Sequence, residues 1–89
     1  MSDPLKRLID KAVVLDTGTS IVYVGKLLEV TEHAFVLEQA DIHDCKDGHA
    51  SPESYVADAR REGVTPNRRN IVVMRSRIMS VSALEDVIS

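Results

Sequence analysis

The segment Asn70–Val81 constrains the fold more than any other part of the chain. It reads N-I-V-V-M-R-S-R-I-M-S-V, in which two β-branched apolar runs are separated by the polar residues Arg75, Ser76 and Arg77. So short a gap cannot hold a crossover helix, so the runs are either one bent strand or two strands joined by a very tight turn. In both cases the two arginines lie at a turn on a β scaffold, where a small barrel would place a binding site.

Basic residues are concentrated around this segment. The chain has 89 residues and a formal net charge of -3, which argues against a protein that coats nucleic acid generally. Residues 60–77 nevertheless have a net charge of +5, because they hold six of the seven arginines and only one acid. These arginines are Arg60, Arg61, Arg68, Arg69, Arg75 and Arg77. Arginine suits contacts with phosphates and bases, but a solvated surface with ion pairs explains the same composition.

The size of the chain predicts a single domain, residues 1–89, with a core near the lower limit for independent stability. The aromatic residues are only Tyr23, Phe35 and Tyr55, so the core must be aliphatic, and such small domains often gain stability by oligomerising. The single cysteine, Cys45, excludes an internal disulfide and fits a reducing compartment. No signal-peptide pattern and no membrane-spanning run is visible, so we expect a cytoplasmic protein without a membrane partner.

The first half of the chain reads as a helix followed by strands. The pair Asp3-Pro4, followed by apolar residues spaced three and four apart, predicts a short N-terminal helix. Strands are predicted over residues 12–15, 20–31 and 34–42, separated by tight turns. Gly25 lies in the middle of the second strand, where a glycine usually marks a sharp bend or a close approach of two backbones.

Residues 43–69 interrupt the strand pattern. A polar loop is followed by Ser51-Pro52, which starts an amphipathic helix, and Gly63 ends that helix. The two runs of Asn70–Val81 then complete the domain. The order of one helix, three strands, an inserted helix and two strands predicts a mainly β fold, a small five-stranded open barrel.

This order, with these residues, resembles the Sm and Sm-like family, which includes the Hfq-like proteins. Proteins of this family fold as small SH3-like barrels. The opening D-P-L-K-R-L-I-D-K-A-V-V-L is similar to the family's N-terminal helix and first strand, and D-T-G-T-S-I-V-Y-V-G-K-L-L-E-V-T to its second strand with the glycine at the bend. A-F-V-L-E-Q-A-D fits the third strand. I-V-V-M-R-S-R-I-M-S-V resembles the family's second motif, in which an apolar strand ends in a basic residue before a very short turn. The resemblance covers nearly the whole chain apart from residues 43–68.

The resemblance implies a cyclic homo-oligomer of about five to seven subunits, in which the fourth strand of each subunit pairs with the fifth strand of its neighbour. It also implies binding of single-stranded RNA with low sequence specificity at the pore or on one face of the ring. Arg75, Ser76 and Arg77 are the candidate contacts at the turn. His33 is a candidate for base stacking, and Arg68 and Arg69 for electrostatic support.

Part of the family's uridine pocket is missing from this sequence. Members that bind uridines in the pore usually carry an Asp and an Asn around the turn before the third strand, where this chain has V-T-E-H-A-F. His33 or Ala34 occupies the equivalent place, and a histidine there is also a common residue of surface turns. The alternative function is therefore a structural or protein-interaction ring that has lost RNA binding and uses the inserted helix as its partner surface.

The loop after the third strand contains residue types that bind metals or carry thiol chemistry, namely His43, Cys45, Asp47 and His49. Their spacing matches no zinc motif, and no third orienting group accompanies the cysteine and histidine. A solvated acidic loop is the preferred interpretation. The sequence therefore predicts no metal, no cofactor and no enzymatic activity.

Overall fold

The computed structural model describes residues 3–46 and 51–88 and contains five strands and one α-helix. In chain order the elements are an N-terminal 3₁₀ helix (Pro4–Leu8), β1 (Ala12–Asp16), β2 (Ile21–Val30), β3 (Ala34–Asp44), α1 (Pro52–Glu62), β4 (Arg68–Met74), a 3₁₀ turn (Arg75–Arg77), β5 (Ser80–Ala83) and a C-terminal 3₁₀ helix (Leu84–Asp86). The predicted mainly β fold, with an N-terminal helix and a helix inserted between the third and fourth strands, is confirmed. In the described ranges, no helix is both long and apolar enough to cross a membrane.

The strands form a single antiparallel sheet in the order β4–β3–β2–β1–β5. The two apolar runs of Asn70–Val81 are therefore separate strands at opposite edges of the sheet, and they are not one bent strand. In the described part of the chain, β4 pairs only with β3 and β5 pairs only with β1. Each of these two strands keeps one edge whose backbone groups have no ladder partner.

The inner face of the sheet encloses the main core. Its buried members alternate along the strands, as the two-residue period of a β-strand requires. They are Val13, Leu15, Leu27, Phe35, Leu37, Ala40 and Val73. Leu5, Leu8 and Ile9 of the N-terminal segment pack against this cluster. The apolar spacing near the N-terminus therefore serves the barrel core.

Gly25 lies where β2 and β3 approach closely. A Cβ atom at this position would lie 2.9 Å from both Cα and Cβ of Ala40. The register between these strands shifts at Gly25, and Gln39 on β3 has a positive φ of 49°. The glycine is needed for close backbone contact at an irregular point of the sheet.

A second, smaller core lies on the outer face of β1 and β2. The helix α1 packs across these strands with its buried Val56 and Ala59. The other buried members are Val14, Val22, Val24 and Leu84. We call the outer face of β1 and β2, which lies beneath α1, the covered half. The outer face of β4 has no such cover within the described residues, and we call it the bare half.

The N-terminal helix is shorter and tighter than an α-helix. Asp3 caps it through a hydrogen bond from the Leu5 N–H to Oδ1 (3.0 Å), and Pro4 occupies the first turn, as predicted. The helix cannot continue because Asp10 has a φ of 72° and its N–H donates to the carbonyl of Leu27 (2.7 Å). The chain is thereby turned directly into β1.

The insertion is narrower than the predicted 43–69, because β3 extends to Asp44 and β4 begins at Arg68. The connection between these strands therefore runs over residues 45–67. Asn67 closes it by using its side chain as a strand partner. Its Oδ1 accepts from the Ile42 N–H (3.0 Å), and its Nδ2 donates to the Ile42 carbonyl (2.9 Å).

Candidate nucleic-acid interface

The β4–β5 turn is held in a fixed position by backbone hydrogen bonds. Residues 75–77 form one 3₁₀ turn, in which the N–H of Ile78 donates to the carbonyl of Arg75 (3.1 Å). The N–H of Met79 then donates to the carbonyl of Asp16 at the end of β1 (2.7 Å). The turn therefore presents its side chains from a rigid base, as a binding site requires.

The structure brings two predicted site residues, His33 and Arg75, together. The N–H of Arg75 donates to the carbonyl of His33 (2.9 Å), and its guanidinium donates to the carbonyl of Thr31 (2.7 Å). The Thr31 hydroxyl in turn accepts hydrogen bonds from the N–H groups of His33 and Ala34. The β2–β3 and β4–β5 turns thus lie side by side.

Arg75 is partly committed to holding these turns together. Besides its bond to the Thr31 carbonyl, its guanidinium carbon lies 5.4 Å from the centre of the Phe35 ring, within range of a cation–π contact. Phe35 is itself a member of the main core. A ligand that took all the donors of Arg75 would therefore disturb the anchor of the turn.

Arg77 is the arginine that the turn leaves available. Its side chain is exposed and makes no hydrogen bond or ion pair with any described residue. It borders a cleft of about 430 Å³ between the β4–β5 and β1–β2 turns. Thr17, Tyr23 and Ser76 also line this cleft. Hydroxyls, a half-buried aromatic side chain and a free guanidinium can together contact a phosphate, a sugar and a base.

His33 lies at the surface beside this turn. Its side chain is 79% exposed, and its Nε2 lies 3.9 Å from the carboxylate of Glu32, at the limit of an ion pair. The imidazole therefore has an open face on which a base could stack. Nothing in its surroundings requires a histidine for packing.

Arg68 and Arg69 do not join the turn. They begin β4, whereas the turn follows its last residue, so the strand separates them by about 20 Å. Arg68 donates to the carbonyl of the neighbouring Asn67 (2.9 Å), and Arg69 has no hydrogen-bond or ion-pair partner among the described residues. The predicted electrostatic support thus lies at the opposite end of the strand from the turn.

The arginines of α1 are engaged within the chain. Arg61 forms an ion pair with Asp58 and lies 3.9 Å from Glu62. Arg60 donates to the backbone carbonyl of Glu85 (3.2 Å). The contacts of Arg61 agree with the ion-pair interpretation of this part of the basic segment, and Arg60 is held by a backbone carbonyl.

The described residues of the segment with potential metal ligands pack against the rest of the chain and do not form a metal cluster. His43 belongs to β3, and its ring stacks on Tyr55 of α1 with ring centres 4.1 Å apart. The Tyr55 hydroxyl donates to the carboxylate of Asp41, and burial, followed by this carboxylate, raises the tyrosine pKa. No group of three or more potential ligands gathers in the part of the chain that the structure describes. Asp47 and His49 lie outside it.

The surroundings of Cys45 do not activate its thiol as a nucleophile. Burial raises the pKa of its thiol, and the nearby carboxylates of Asp44 and Glu53 raise it further. A reactive cysteine requires a lowered pKa, because the thiolate is the nucleophile. The surroundings of this thiol therefore disfavour a thiol enzyme.

Sequence reasoning did not identify Thr17 and Tyr23 as site residues. The segment Asp16–Thr19 was predicted as a turn, but nothing local indicates which other turn it adjoins. The pairing of Asp16 with Ser80 brings the β1–β2 turn to the β4–β5 turn. One sequence signal could have identified Tyr23. It lies close to the start of the predicted second strand, and therefore near one end of the barrel.

Comparison with known proteins supports the fold from structure alone. No protein-family model matches the chain, and no curated protein sequence matches it. Its structure is similar to that of a Pyrococcus abyssii Sm protein solved in complex with a uridine heptamer, with a TM-score of 0.61 and 20% sequence identity. The similarity covers 92% of this chain and 99% of that chain. The predicted fold is thus confirmed, and this chain has the Sm-like fold.

Proposed function

We propose that this chain assembles into a cyclic homo-oligomer that binds single-stranded RNA with low sequence specificity at the β4–β5 turn. The observation that carries the proposal is Arg77, a free and exposed guanidinium on a rigid turn whose first residue, Arg75, donates a hydrogen bond to the backbone of the exposed His33. The Sm protein of similar structure was solved with a uridine heptamer. That likeness supports RNA as the ligand class.

The two edges of the sheet support a ring. β4 and β5 are its edge strands, and each has an unpaired side. Val72 and Met74 on β4 are 60% and 52% exposed, which is unusual for apolar side chains on an otherwise paired strand. Pairing β4 of one subunit with β5 of the next removes both edges in every copy, and a closed cycle leaves none. We expect about five to seven subunits.

The two arginines of the turn have different roles in this proposal. Arg75 positions the turns through Thr31 and Phe35, and Arg77 supplies the principal contact with phosphate. In a ring this contact recurs once in every subunit, so one exposed charge per chain becomes a circle of charge. Binding should therefore weaken steeply with salt.

The site offers little to distinguish one base from another. Stacking on His33 or Tyr23 accepts any base, because every base has a π face. The Asp and Asn of the family's uridine pocket are absent from the turn before β3. We therefore expect oligouridine and oligoadenosine to bind with affinities within about tenfold of each other.

Fluorescence anisotropy with labelled oligouridine and oligoadenosine, at about 50 mM and about 200 mM salt, tests the proposal. We expect Arg77→Ala to weaken binding at least about tenfold and to reduce the salt dependence, because a phosphate contact is lost. Arg61→Ala is the matched control. It removes the same charge from each subunit, but at an arginine already paired with Asp58. Absence of binding at the lower salt concentration, or equal losses in the two variants, would contradict RNA binding at the turn.

The alternative, a protein-interaction ring without RNA, is favoured by two observations on the charges of the chain. The net charge of the chain is -3, and four of the six clustered arginines already make contacts within the chain. The apolar residues of α1, Val56 and Ala59, pack against strands of the same chain. A partner of the inserted helix would therefore have to recognise its charged outer face. The same titration, in which this alternative predicts no binding, separates the two functions.

A further inference from the structure

The β1–β2 turn forms the wall of the Arg77 cleft that lies opposite the β4–β5 turn. Thr17, Thr19 and Ile21 line this wall, and Ser76 and Arg77 line the other. The volume of the cleft, about 430 Å³, lies in the range of about 300 to 1,000 Å³ that is usual for small-ligand sites. The hydroxyls of the turn therefore help to decide which part of a nucleotide the cleft accepts.

The hydroxyl of Thr17 has no hydrogen-bonding capacity left for a ligand. A hydroxyl has one proton to donate and two lone pairs to accept. Thr17 Oγ1 lies 2.7 Å from the carbonyl oxygen of Ile21, which can only accept, so the proton of Thr17 is used there. One lone pair accepts from the N–H of Thr19 (3.2 Å), and the other faces Thr19 Oγ1 at 2.6 Å. In this last contact Thr19 is therefore the donor.

Thr19 keeps a single free lone pair and no free proton. Its proton goes to Thr17, and its oxygen accepts from the N–H of Ile21 (3.1 Å). The residue is exposed, so the remaining lone pair is open to a ligand. The N–H of Gly18, the next donor along the turn, is bound to Oδ1 of Asp16 (3.1 Å). The hydroxyls of this wall can therefore accept one hydrogen bond but cannot donate to a phosphate.

The opposite wall has the reverse character. The guanidinium of Arg77 contains only donors, and it makes no hydrogen bond or ion pair with any described residue. The Ser76 hydroxyl, which is also exposed, has no hydrogen-bond partner within residues 3–46 and 51–88. The cleft is thus polarised, with donors for a phosphate on one wall and an acceptor for a hydroxyl or amino group on the other.

We propose that this cleft recognises the sugar of a bound nucleotide, and that Thr19 is its specificity-determining residue. In this arrangement the phosphate binds Arg77 and Ser76, and the ribose 2′-hydroxyl donates to Oγ1 of Thr19. The inference rests on the proposed RNA binding and deepens it, since it names the group that distinguishes RNA from DNA at this site. Within a strand, the 2′-hydroxyl is the only hydrogen-bond donor of the sugar–phosphate backbone, and deoxyribose lacks it.

The sugar fits Thr19 better than a base edge does. Within one nucleotide the 2′-hydroxyl lies next to the 3′-phosphate, so a single unit carries both groups that the two walls require. The half-buried ring of Tyr23 lines the same cleft and provides a surface on which the base can stack. Base, sugar and phosphate then each have a separate partner. A contact with the sugar is also the same for every base, in agreement with low sequence specificity.

Fluorescence anisotropy with labelled oligomers that differ only in the sugar tests the assignment. The probes are oligouridine, its 2′-fluoro form and its 2′-deoxy form, all of one length. Both modified sugars lack the donor, and the 2′-fluoro sugar keeps a ribose-like pucker. We expect the wild-type chain to bind oligouridine at least about fivefold more tightly than either modified oligomer, because one hydrogen bond is lost while the phosphates stay the same.

Variants of the turn identify the residue responsible. Thr19→Val removes the acceptor in a side chain of nearly the same shape, and it should bring the affinities for oligouridine and its 2′-fluoro form to within about twofold of each other. Thr19→Ser keeps the hydroxyl and should retain the preference. Ser20→Ala is the matched control, because it removes the adjacent hydroxyl, which donates to Asp44 (2.7 Å) and does not line the cleft. It should leave the ratio of affinities unchanged.

The outcomes separate this inference from the proposed function. Equal wild-type affinities for the three oligomers, with binding still weakened by Arg77→Ala, would overturn the sugar contact and leave RNA binding in place. A preference that survives Thr19→Val would overturn Thr19 as the residue responsible. An effect of Thr19→Val that differs between oligouridine and oligoadenosine would assign the lone pair to a base edge and overturn the sugar contact. Absence of binding to every oligomer would overturn both proposals together.

Discussion

The covered and bare halves of the outer face belong to the same sheet but differ in solvent exposure. On β1 and β2, the valines are buried beneath α1. On β4, Val72 and Met74 remain exposed to solvent. The comparison teaches that the insertion satisfies only the part of the sheet that lies away from the free edges. On β4, which has a free edge, the outer face stays uncovered within the described residues.

Gly25→Ala should have the largest effect on stability, because it disturbs the contact between β2 and β3, the strands that connect the two halves. The added methyl group would lie 2.9 Å from backbone and side-chain atoms of Ala40, so β2 and β3 must move apart. We expect the free energy of unfolding to fall by about 3 kcal/mol, measured by urea denaturation. Lys26→Ala, the next and exposed residue, should cost less than about 0.5 kcal/mol. Similar midpoints for the two variants would show that the close approach is not required.

Val56→Ala should be the next most damaging change, because it opens the covered half. The side chain is 8% exposed and lies between α1 and the outer faces of β1 and β2. Loss of two buried methyl groups should lower the unfolding free energy by about 2 kcal/mol. The same urea experiment measures it. A loss below about 0.5 kcal/mol would show that α1 is not fixed to the sheet.

Val72→Ala makes the same chemical change on the bare half and sharpens the comparison. In dissociated subunits at low concentration, we expect the unfolding free energy to change by less than about 0.5 kcal/mol, because the side chain is 60% exposed. Subunit association, measured by light scattering over a dilution series, should instead weaken several-fold. A large loss of stability in the dissociated subunit would show that β4 is covered from within its own chain.

Asp44→Asn should have the smallest effect, at the end of β3 that leads to the covered half. The N–H of Lys46 and the hydroxyl of Ser20 donate to this carboxylate and hold its pKa below the ordinary value of 3.8. A lowered pKa stabilises the fold when the group is charged, and this contribution is lost as the pH falls through the folded pKa. The variant should thus be slightly less stable than wild type at neutral pH and equal to it in acid. Thermal melts at both pH values measure this, and an equal deficit at both would contradict it.

Much of the fold was predictable because its signals are local. Asp3-Pro4, Ser51 and Gly63 mark the ends of the helices by capping chemistry alone, and the structure places them there. Gly25 indicated a close backbone approach, and the contact with Ala40 is that approach. The arginine-bearing turn was recognised from the short gap between apolar runs.

The site was less predictable, because its contacts join residues far apart in sequence. No local pattern distinguishes Arg75, which holds Thr31 and Phe35, from Arg77, which is free. His43 was assigned to a polar loop, but it extends β3 because its ring stacks on Tyr55 from the inserted helix. The distance between Arg68 and the turn follows from β4, because the strand is paired with β3 from its first residue to its last.

Asn67 has a consequence for how the chain tolerates change. Because its side chain bonds to both backbone groups of Ile42, and the N–H of Cys45 bonds to the carbonyl of Ser20 (2.9 Å), both ends of segment 45–67 are fastened to the barrel independently of what lies between them. The entropy of closing such a loop grows only with the logarithm of its length. A change in the length of this segment should therefore cost little in loop closure, provided that α1 keeps Val56 and Ala59 packed on the strands.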